Sequence, residues 1–243
     1  MKDLQTTYKV IAIVPAAGLG KRFGQGTNKP FQTLGGKPLI IWSLKVLEAV
    51  GEIIEIIPVL KPEDMEAGQK LFEEEDFAKI KRIAPGGKER QDSVYSGLKR
   101  IEDTNSIVLI HDGVRPLIEP RLVGELIKYM ADAIRNKEDF DGIIPGVPVK
   151  DTIKETEAGF VRKTLKRVSL WAVQTPQVFS CKKILNAYDK AEREGYYATD
   201  DAALIERYGG KIKIVMGSYT NIKITTPEDL VVAEALLKMQ SQP

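Results

Sequence analysis

Apolar-rich runs alternate with amphipathic stretches along most of the chain. The runs at 10–14, 53–60, 80–84, 107–111, 142–145 and 211–216 predict strands, and the stretches at 38–49, 62–72, 89–101, 120–134, 182–194, 200–208 and 227–239 predict helices. In the third helix Val94, Leu98 and Ile101 recur at i, i+4 and i+7, which puts one face in a core. The last helix has strong start chemistry. Thr226 can cap it, Pro227 suits the first turn, and Glu228 and Asp229 favour the positive end of the helix dipole. Strands alternating with helices in this way predict an α/β fold, with a mainly parallel sheet flanked by helices on both faces.

Residues 147–170 break that rhythm. Polar and apolar residues alternate on either side of Glu157-Ala158-Gly159, which predicts a protruding β-hairpin arm with its turn around Gly159. Such an arm has little core of its own, and a second copy of the chain is the natural surface for it to pack on. No repeat of 20–50 residues is present, and the expectation is one domain over 1–243 with the arm as a subregion.

Composition narrows the chemistry more than the fold. The 243 residues are enough for a packed core, and a formal charge of +2 gives no support for nucleic-acid binding. No apolar run reaches the length of a membrane span, and the polar start of the chain lacks the apolar centre of a signal peptide, so a cytoplasmic protein is expected. Cys181 is the only cysteine and His111 the only histidine. An intrachain disulfide, a cysteine-rich zinc site and a zincin motif are thereby excluded, and a Ser-His-Asp hydrolase would hang on one residue. The groups left for catalysis are lysine, arginine, aspartate, backbone amides and a hard metal ion.

The most informative stretch is 10–23, where the first strand opens at Pro15 into Ala16-Ala17-Gly18-Leu19-Gly20, followed at once by Lys21 and Arg22 and then by Lys29. Glycine has no Cβ, so backbone N–H groups can approach phosphate, and fixed cations make the turn a candidate polyphosphate seat. Phe23 stands where a dinucleotide fingerprint needs its third glycine, and Arg22 where a Walker loop needs Ser or Thr.

Four further segments fall at expected strand ends. At Gly86-Gly87, backbone amides and the Ser93 hydroxyl suit reading a base edge, or the segment is simply a tight turn into a helix. Asp112 ends the strand at 107–111, a usual place for a Mg²⁺-binding carboxylate beside a nucleotide, and equally for a turn residue. His111 beside it reads as a structural or orienting group. The segment 170–179 reads as a core loop anchored by Trp171, and Lys223 precedes the capped last helix.

Taken in order, Pro-Ala-Ala-Gly-x-Gly-x-Arg, Gly-Gly-x-Glu-Arg-x-Asp-Ser-Val, His-Asp-x-x-Arg-Pro, Asp-Thr, Leu-Trp-x-x-x-Thr-Pro-Gln and Asn-Ile-Lys-x-Thr-x-Pro-Glu-Asp-Leu resemble the 2-C-methyl-D-erythritol 4-phosphate cytidylyltransferase family, from about Val10 to Leu230. The resemblance implies a Rossmann-like, GT-A-like nucleotidyltransferase of the non-mevalonate isoprenoid pathway. It would join CTP to a polyol phosphate with Mg²⁺ and release pyrophosphate. It implies that Arg22 and Lys29 hold the triphosphate, that Asp112 binds the metal, and that Lys223 contacts the phosphates. Ala16, Ala17, Gly18, Gly20, Gly87 and Ser93 match nucleotide-binding positions. Arg115, Thr152, Arg167 and Thr175 match the sugar-phosphate side, with Thr152 and Arg167 supplied by the arm of the other subunit of a homodimer. The chain departs from the family at Asn28-Lys29-Pro30, where Pro-Lys-Gln is common, at Lys88, and at Gly113-Val114. The alternatives are a ribitol 5-phosphate cytidylyltransferase, which shares the nucleotide half, a sugar-1-phosphate nucleotidyltransferase with another base, and a nucleotide-binding regulatory module without turnover.

Overall fold

A computed structural model describes residues 8–18 and 29–240, with the side chains of Lys29 and Gln240 outside the description. Its strands are β1 (Val10–Pro15), β2 (Thr33–Leu34), β3 (Lys37–Pro38), β4 (Ile53–Leu60), β5 (Ala84–Pro85), β6 (Ile107–Ile110), β7 (Gly142–Pro148), β8 (Lys154–Glu157), β9 (Phe160–Thr164), β10 (Trp171–Val173), β11 (Gln177–Ser180) and β12 (Ile212–Met216). Its helices are α1 (Leu39–Ala49), α2 (Met65–Glu74), α3 (Arg90–Leu98), α4 (Pro120–Asn136), α5 (Cys181–Glu194), α6 (Asp201–Arg207) and α7 (Pro227–Gln240). No described helix is long and apolar enough to cross a membrane.

The central sheet runs β10-β7-β11-β6-β1-β4-β5, with β12 paired along β7. Its middle strands read as nearly continuous apolar runs because both faces are covered. Val10, Ala12 and Val14 of β1 pack on one side with α1 and α4, while Ile11 and Ile13 pack on the other with α3, α5 and α6. A third, smaller cluster of Leu34, Leu39, Leu117, Ile224 and Ala233 seats α7. The α7 cap goes beyond the predicted one. Thr226 Oγ1 accepts from the Asp229 amide at 3.4 Å, and the Asp229 carboxylate accepts in return from the amides of Thr225 and Thr226 at 2.7 and 2.9 Å.

Three sequence expectations need correction. The run at 80–84 is not a full strand: Ile80 makes an isolated bridge to Ile56, and only Ala84–Pro85 pairs with β4. Lys81 and Arg82 interrupt its apolar pattern, and Arg82 instead turns to a bidentate pair with Glu55. The stretch 62–72 begins as a 3₁₀ turn (Pro62–Asp64) before α2. The segment 170–179, read as a core loop, supplies β10 and β11. β11 runs antiparallel to both β6 and β7, and this insertion makes the sheet mixed. Phe179 of β11 explains a glycine on its neighbour, since a Cβ on Gly142 would lie 2.3 Å from the Phe179 ring.

The hairpin appears where the pattern placed it, with strands confined to β8 and β9. The two-residue turn has Ala158 at φ 48° and Gly159 at φ 84°, so both central residues are left-handed, as a type I′ turn requires. The arm forms its own two-stranded sheet, and Phe160 and Val168 stand 78% and 91% exposed.

The Gly142–Phe179 contact yields a stability test. Gly142→Ala is expected to cost roughly 1–3 kcal/mol by overpacking, and Phe179→Leu in the same background to cost less than the two changes summed. Urea unfolding of the four proteins in the cycle measures both.

Candidate active site

Parallel strands bring their carboxyl ends to one edge of a sheet, where ligands of open α/β folds bind. Here β1, β4, β5 and β6 are parallel, and β7 and β12 point the same way because β11 opposes both β6 and β7. β1 therefore delivers Ala16, Ala17 and Gly18 to the same rim as Gly86 and Gly87 from β5 and Asp112 from β6. The β12 end leads to the loop carrying Lys223. An antiparallel strand begins where its neighbours end, so Gln177 pairs with Ile110 and Thr175 falls beside Asp112.

The loops meet closely. A Cβ on Gly86 would sit 2.1 Å from that of Ala17, and one on Gly113 would sit 3.3 Å from that of Ala16. Gly87 donates its amide to Ser93 Oγ at 3.1 Å, and the Ser93 hydroxyl donates onward to the Glu89 carbonyl at 3.1 Å. Ser93 thus shapes the glycine turn from a buried position. Among the described residues, nothing lies within 4 Å of a Cβ placed on Gly18.

Asp112 is the electrostatic centre. Its Oδ1 accepts from Arg90 Nε at 2.9 Å, while Oδ2 lies 2.7 Å from Lys223 Nζ and 3.7 Å from Arg115 Nε. Burial works against the carboxylate's charge, but Arg90, Lys223 and Arg115 outweigh it and hold the group well below the usual carboxylate range. Lys223 reaches this place because the Ile224 amide bonds the Val114 carbonyl at 2.9 Å, which clips the last loop onto the Asp112 loop. Arg115 donates from Nη1 to the Asn221 carbonyl at 2.7 Å, and its buried Nε has no hydrogen-bond partner among the described residues. Asn221 donates to the Thr175 carbonyl at 2.9 Å.

His111 has a partner at each ring nitrogen. Nε2 lies 3.2 Å from the Arg115 carbonyl, which can only accept, so Nε2 carries the proton. Nδ1 then accepts from the Thr175 hydroxyl at 3.1 Å, and Thr175 Oγ1 accepts from the Asp112 amide at 3.0 Å. Burial pushes the imidazole down to about 4, against the opposing pull of Asp112, so it is neutral at physiological pH. The Thr175 hydroxyl is accordingly engaged inside the protein.

Thr152 and Arg167 sit exposed at the root of the arm. Arg167 Nη1 donates to the Lys150 carbonyl at 2.7 Å, and Lys150 lies over the Tyr219 ring, 3.7 Å from its centroid. Among the described residues no hydrogen bond or ion pair joins either residue to Asp112, Arg115 or Lys223. Lys29 opens a 3₁₀ turn (Lys29–Phe31), and Gly20 and Arg22 lie outside the described residues. Sequence reasoning assigned no role to Arg90, Asp201 or Asn221. Arg90 and Asn221 stand inside quoted motifs, but Asp201 is 111 residues from its partner Arg90 and nothing local marks it.

A single carboxylate is a sparse metal site, and no cluster of three or more His, Cys, Asp or Glu side chains occurs among the described residues. That donor set suits a hard ion such as Mg²⁺, which takes one or two carboxylates and completes its shell with phosphate and water. It fits the ion only together with a polyphosphate.

Because His111 is the sole histidine, its titration is directly observable. The one imidazole signal in an NMR titration is expected to show the Nε2–H tautomer and a midpoint near 4. The unfolded chain, with a histidine pKa near 6.5, binds the extra proton first. This group's contribution to stability is therefore complete above pH 6.5 and lost as the pH falls towards 4.

Comparison with known proteins gives one answer. The family profile for 2-C-methyl-D-erythritol 4-phosphate cytidylyltransferase (IspD) matches residues 10–239. Proteins of that name from Geobacillus thermodenitrificans and Clostridioides difficile are 48% and 42% identical, over 93% and 97% of this chain and 96% and 95% of their own. The crystal structure of 4-diphosphocytidyl-2C-methyl-D-erythritol synthase from Anaerococcus prevotii superposes with a TM-score of 0.82 at 33% identity, covering 98% of this chain and 100% of that one. The 2-C-methyl-D-erythritol 4-phosphate cytidylyltransferase structure from Thermus thermophilus gives 0.74 at 29% identity, covering 93% and 98%. With a shared fold and a match over nearly its whole length, the chain belongs to the 2-C-methyl-D-erythritol 4-phosphate cytidylyltransferase family.

Proposed function

We propose that the chain transfers the cytidylyl group of CTP to 2-C-methyl-D-erythritol 4-phosphate, releasing pyrophosphate, in the non-mevalonate route to isoprenoids. Family membership supports the reaction. The single structural observation that supports its chemistry is the ring of Arg90, Arg115 and Lys223 around a buried, ionised Asp112 at the strand ends. A phosphate monoester is already largely dianionic near neutral pH, so its oxygen attacks the α-phosphate without a protein base. The P–O bond to the β-phosphate breaks as the new one forms, and positioning and charge stabilisation do the rest. The neutral, fully hydrogen-bonded His111 agrees with a mechanism that needs no imidazole base.

In this reading Asp112 holds Mg²⁺, which neutralises triphosphate charge when bound. Lys223 exchanges its carboxylate partner for phosphate. Arg22 and Lys29 neutralise charge developing at the α-phosphate, and Ala16, Ala17, Gly18 and Gly20 line the triphosphate turn. Gly87 and the turn shaped by Ser93 present backbone to the cytosine. Arg115 holds the acceptor phosphate side, and Thr175 acts through its bonds to His111 and the Asp112 amide rather than through a spare hydroxyl. Thr152 and Arg167 reach the acceptor from the arm of a second copy in a homodimer. The exposure of Phe160 and Val168 is consistent with such a partner.

Pyrophosphate release with each nucleoside triphosphate against methylerythritol 4-phosphate and ribitol 5-phosphate tests the assignment. CTP with methylerythritol 4-phosphate is expected to dominate, and preference for another base or for ribitol 5-phosphate would overturn it. Asp112→Asn should lower kcat by about 10²-fold or more, as expected when an electrostatic contact at the reacting phosphate is lost. Arg167→Ala should act mainly on KM for the phosphate alcohol. Mixed dimers of Asp112→Asn and Arg167→Ala subunits are expected to regain activity at the one site that receives neither change. Verified heterodimers without recovery would refute the shared site.

A further inference from the structure

Asp112 is gripped from inside the protein as well as from the rim. We propose that Arg90, Asp201 and Tyr188 form a positioning chain that fixes the Asp112 carboxylate and gives its two oxygens different tasks. The inference rests on the reading of Asp112 as the metal-holding carboxylate. Arg90 Nη1 and Nη2 donate to Asp201 Oδ1 and Oδ2 at 3.0 and 2.8 Å, and Nε donates to Asp112 Oδ1 at 2.9 Å. A guanidinium is planar, so clamping its two terminal nitrogens sets the direction of the Nε–H bond and with it the place of Oδ1. Oδ2 faces the half-exposed Lys223 at 2.7 Å and Arg115 Nε only at 3.7 Å, and it is the oxygen that can trade an ammonium for a metal ion.

The far end of the chain is equally well held. Asp201 is fully buried and accepts from the Tyr188 hydroxyl, and the Tyr188 ring stacks on Tyr95 with centroids 5.8 Å apart. Asp201 opens α6, whose start is fixed twice. Asp200 accepts from the Ala203 amide at 3.0 Å, and Gln177 bridges the Asp200 carboxylate and the Ala202 amide at 2.7 and 3.0 Å. Burial opposes charge on Arg90, but Asp201 and Asp112 more than offset it and keep the guanidinium ionised. Buried ion pairs often add little net stability over an apolar replacement, so stability alone is a weak reason for this arrangement. Orientation of a ligating carboxylate is a sufficient one.

The test is Mn²⁺ binding to the protein–CTP complex, followed by electron paramagnetic resonance without acceptor so that no turnover occurs. Asp201→Asn and Arg90→Lys are expected to weaken Mn²⁺ about tenfold or more, and Tyr188→Phe about twofold to threefold, with metal-free CTP binding nearly unchanged in Asp201→Asn and Tyr188→Phe. A purely structural pair would lower the unfolding temperature and leave the metal affinity alone. Asp112→Asn is the reference. If it weakens Mn²⁺ while folded Asp201→Asn, Arg90→Lys and Tyr188→Phe do not, the positioning chain is refuted and the metal reading stands. If Asp112→Asn leaves Mn²⁺ unchanged, the metal reading fails and the proposal with it. Should Asp201→Asn and Arg90→Lys not fold, Tyr188→Phe decides alone, and an unshifted Mn²⁺ affinity refutes the chain.

Discussion

The site is organised by one buried negative charge. Asp112 has left water at the end of β6, and a carboxylate in that position persists only with compensating charge. Arg90 comes from the start of α3, Arg115 from the same loop and Lys223 from the approach to α7. Three segments far apart in sequence are therefore bound to one rim of the sheet by a shared electrostatic need. Even with Asp201, the second buried partner of Arg90, the three cations outnumber the carboxylates, and a rim with surplus positive charge suits an anionic ligand.

The sheet makes this convergence possible. Parallel strands present their carboxyl ends together, but that alone would not bring Thr175 to Asp112. The antiparallel β11 does so, because its start lies against the end of β6. Thr175 then links the Asp112 amide to His111, and His111 closes on the Arg115 carbonyl. Turning one strand against its neighbours converts a parallel rim into a cross-linked one.

The arm follows a different logic. Its strands are held by a left-handed two-residue turn and by each other, while its root is closed by the Val149–Leu170 bond and tied to the body through the Lys150–Tyr219 contact. No described residue buries Phe160 or Val168. An element built this way gains most from a surface outside its own subunit, which accords with the proposed placing of Thr152 and Arg167 in a partner's site.

The sequence by itself determined the local features. Apolar periodicity marks β1, β4, β6 and nearly every helix, because burying a strand on two faces or a helix on one imposes a pattern within a few residues. Gly159 marks the hairpin turn for the same local reason. The ordered motifs were enough to identify the family and to single out Asp112, Lys223 and Ser93. Tertiary structure alone decided the rest. The segment 170–179 reads as a core loop in sequence, and its strands exist because β6 and β7 offer it hydrogen bonds. Asp201 looks like any helix-start aspartate until the fold sets it against Arg90, across 111 residues. His111 and Thr175 likewise gain their roles only when β11 lies beside β6. Charge pairing and strand pairing act through space, and a one-dimensional pattern records them only where the partners are also neighbours in the chain.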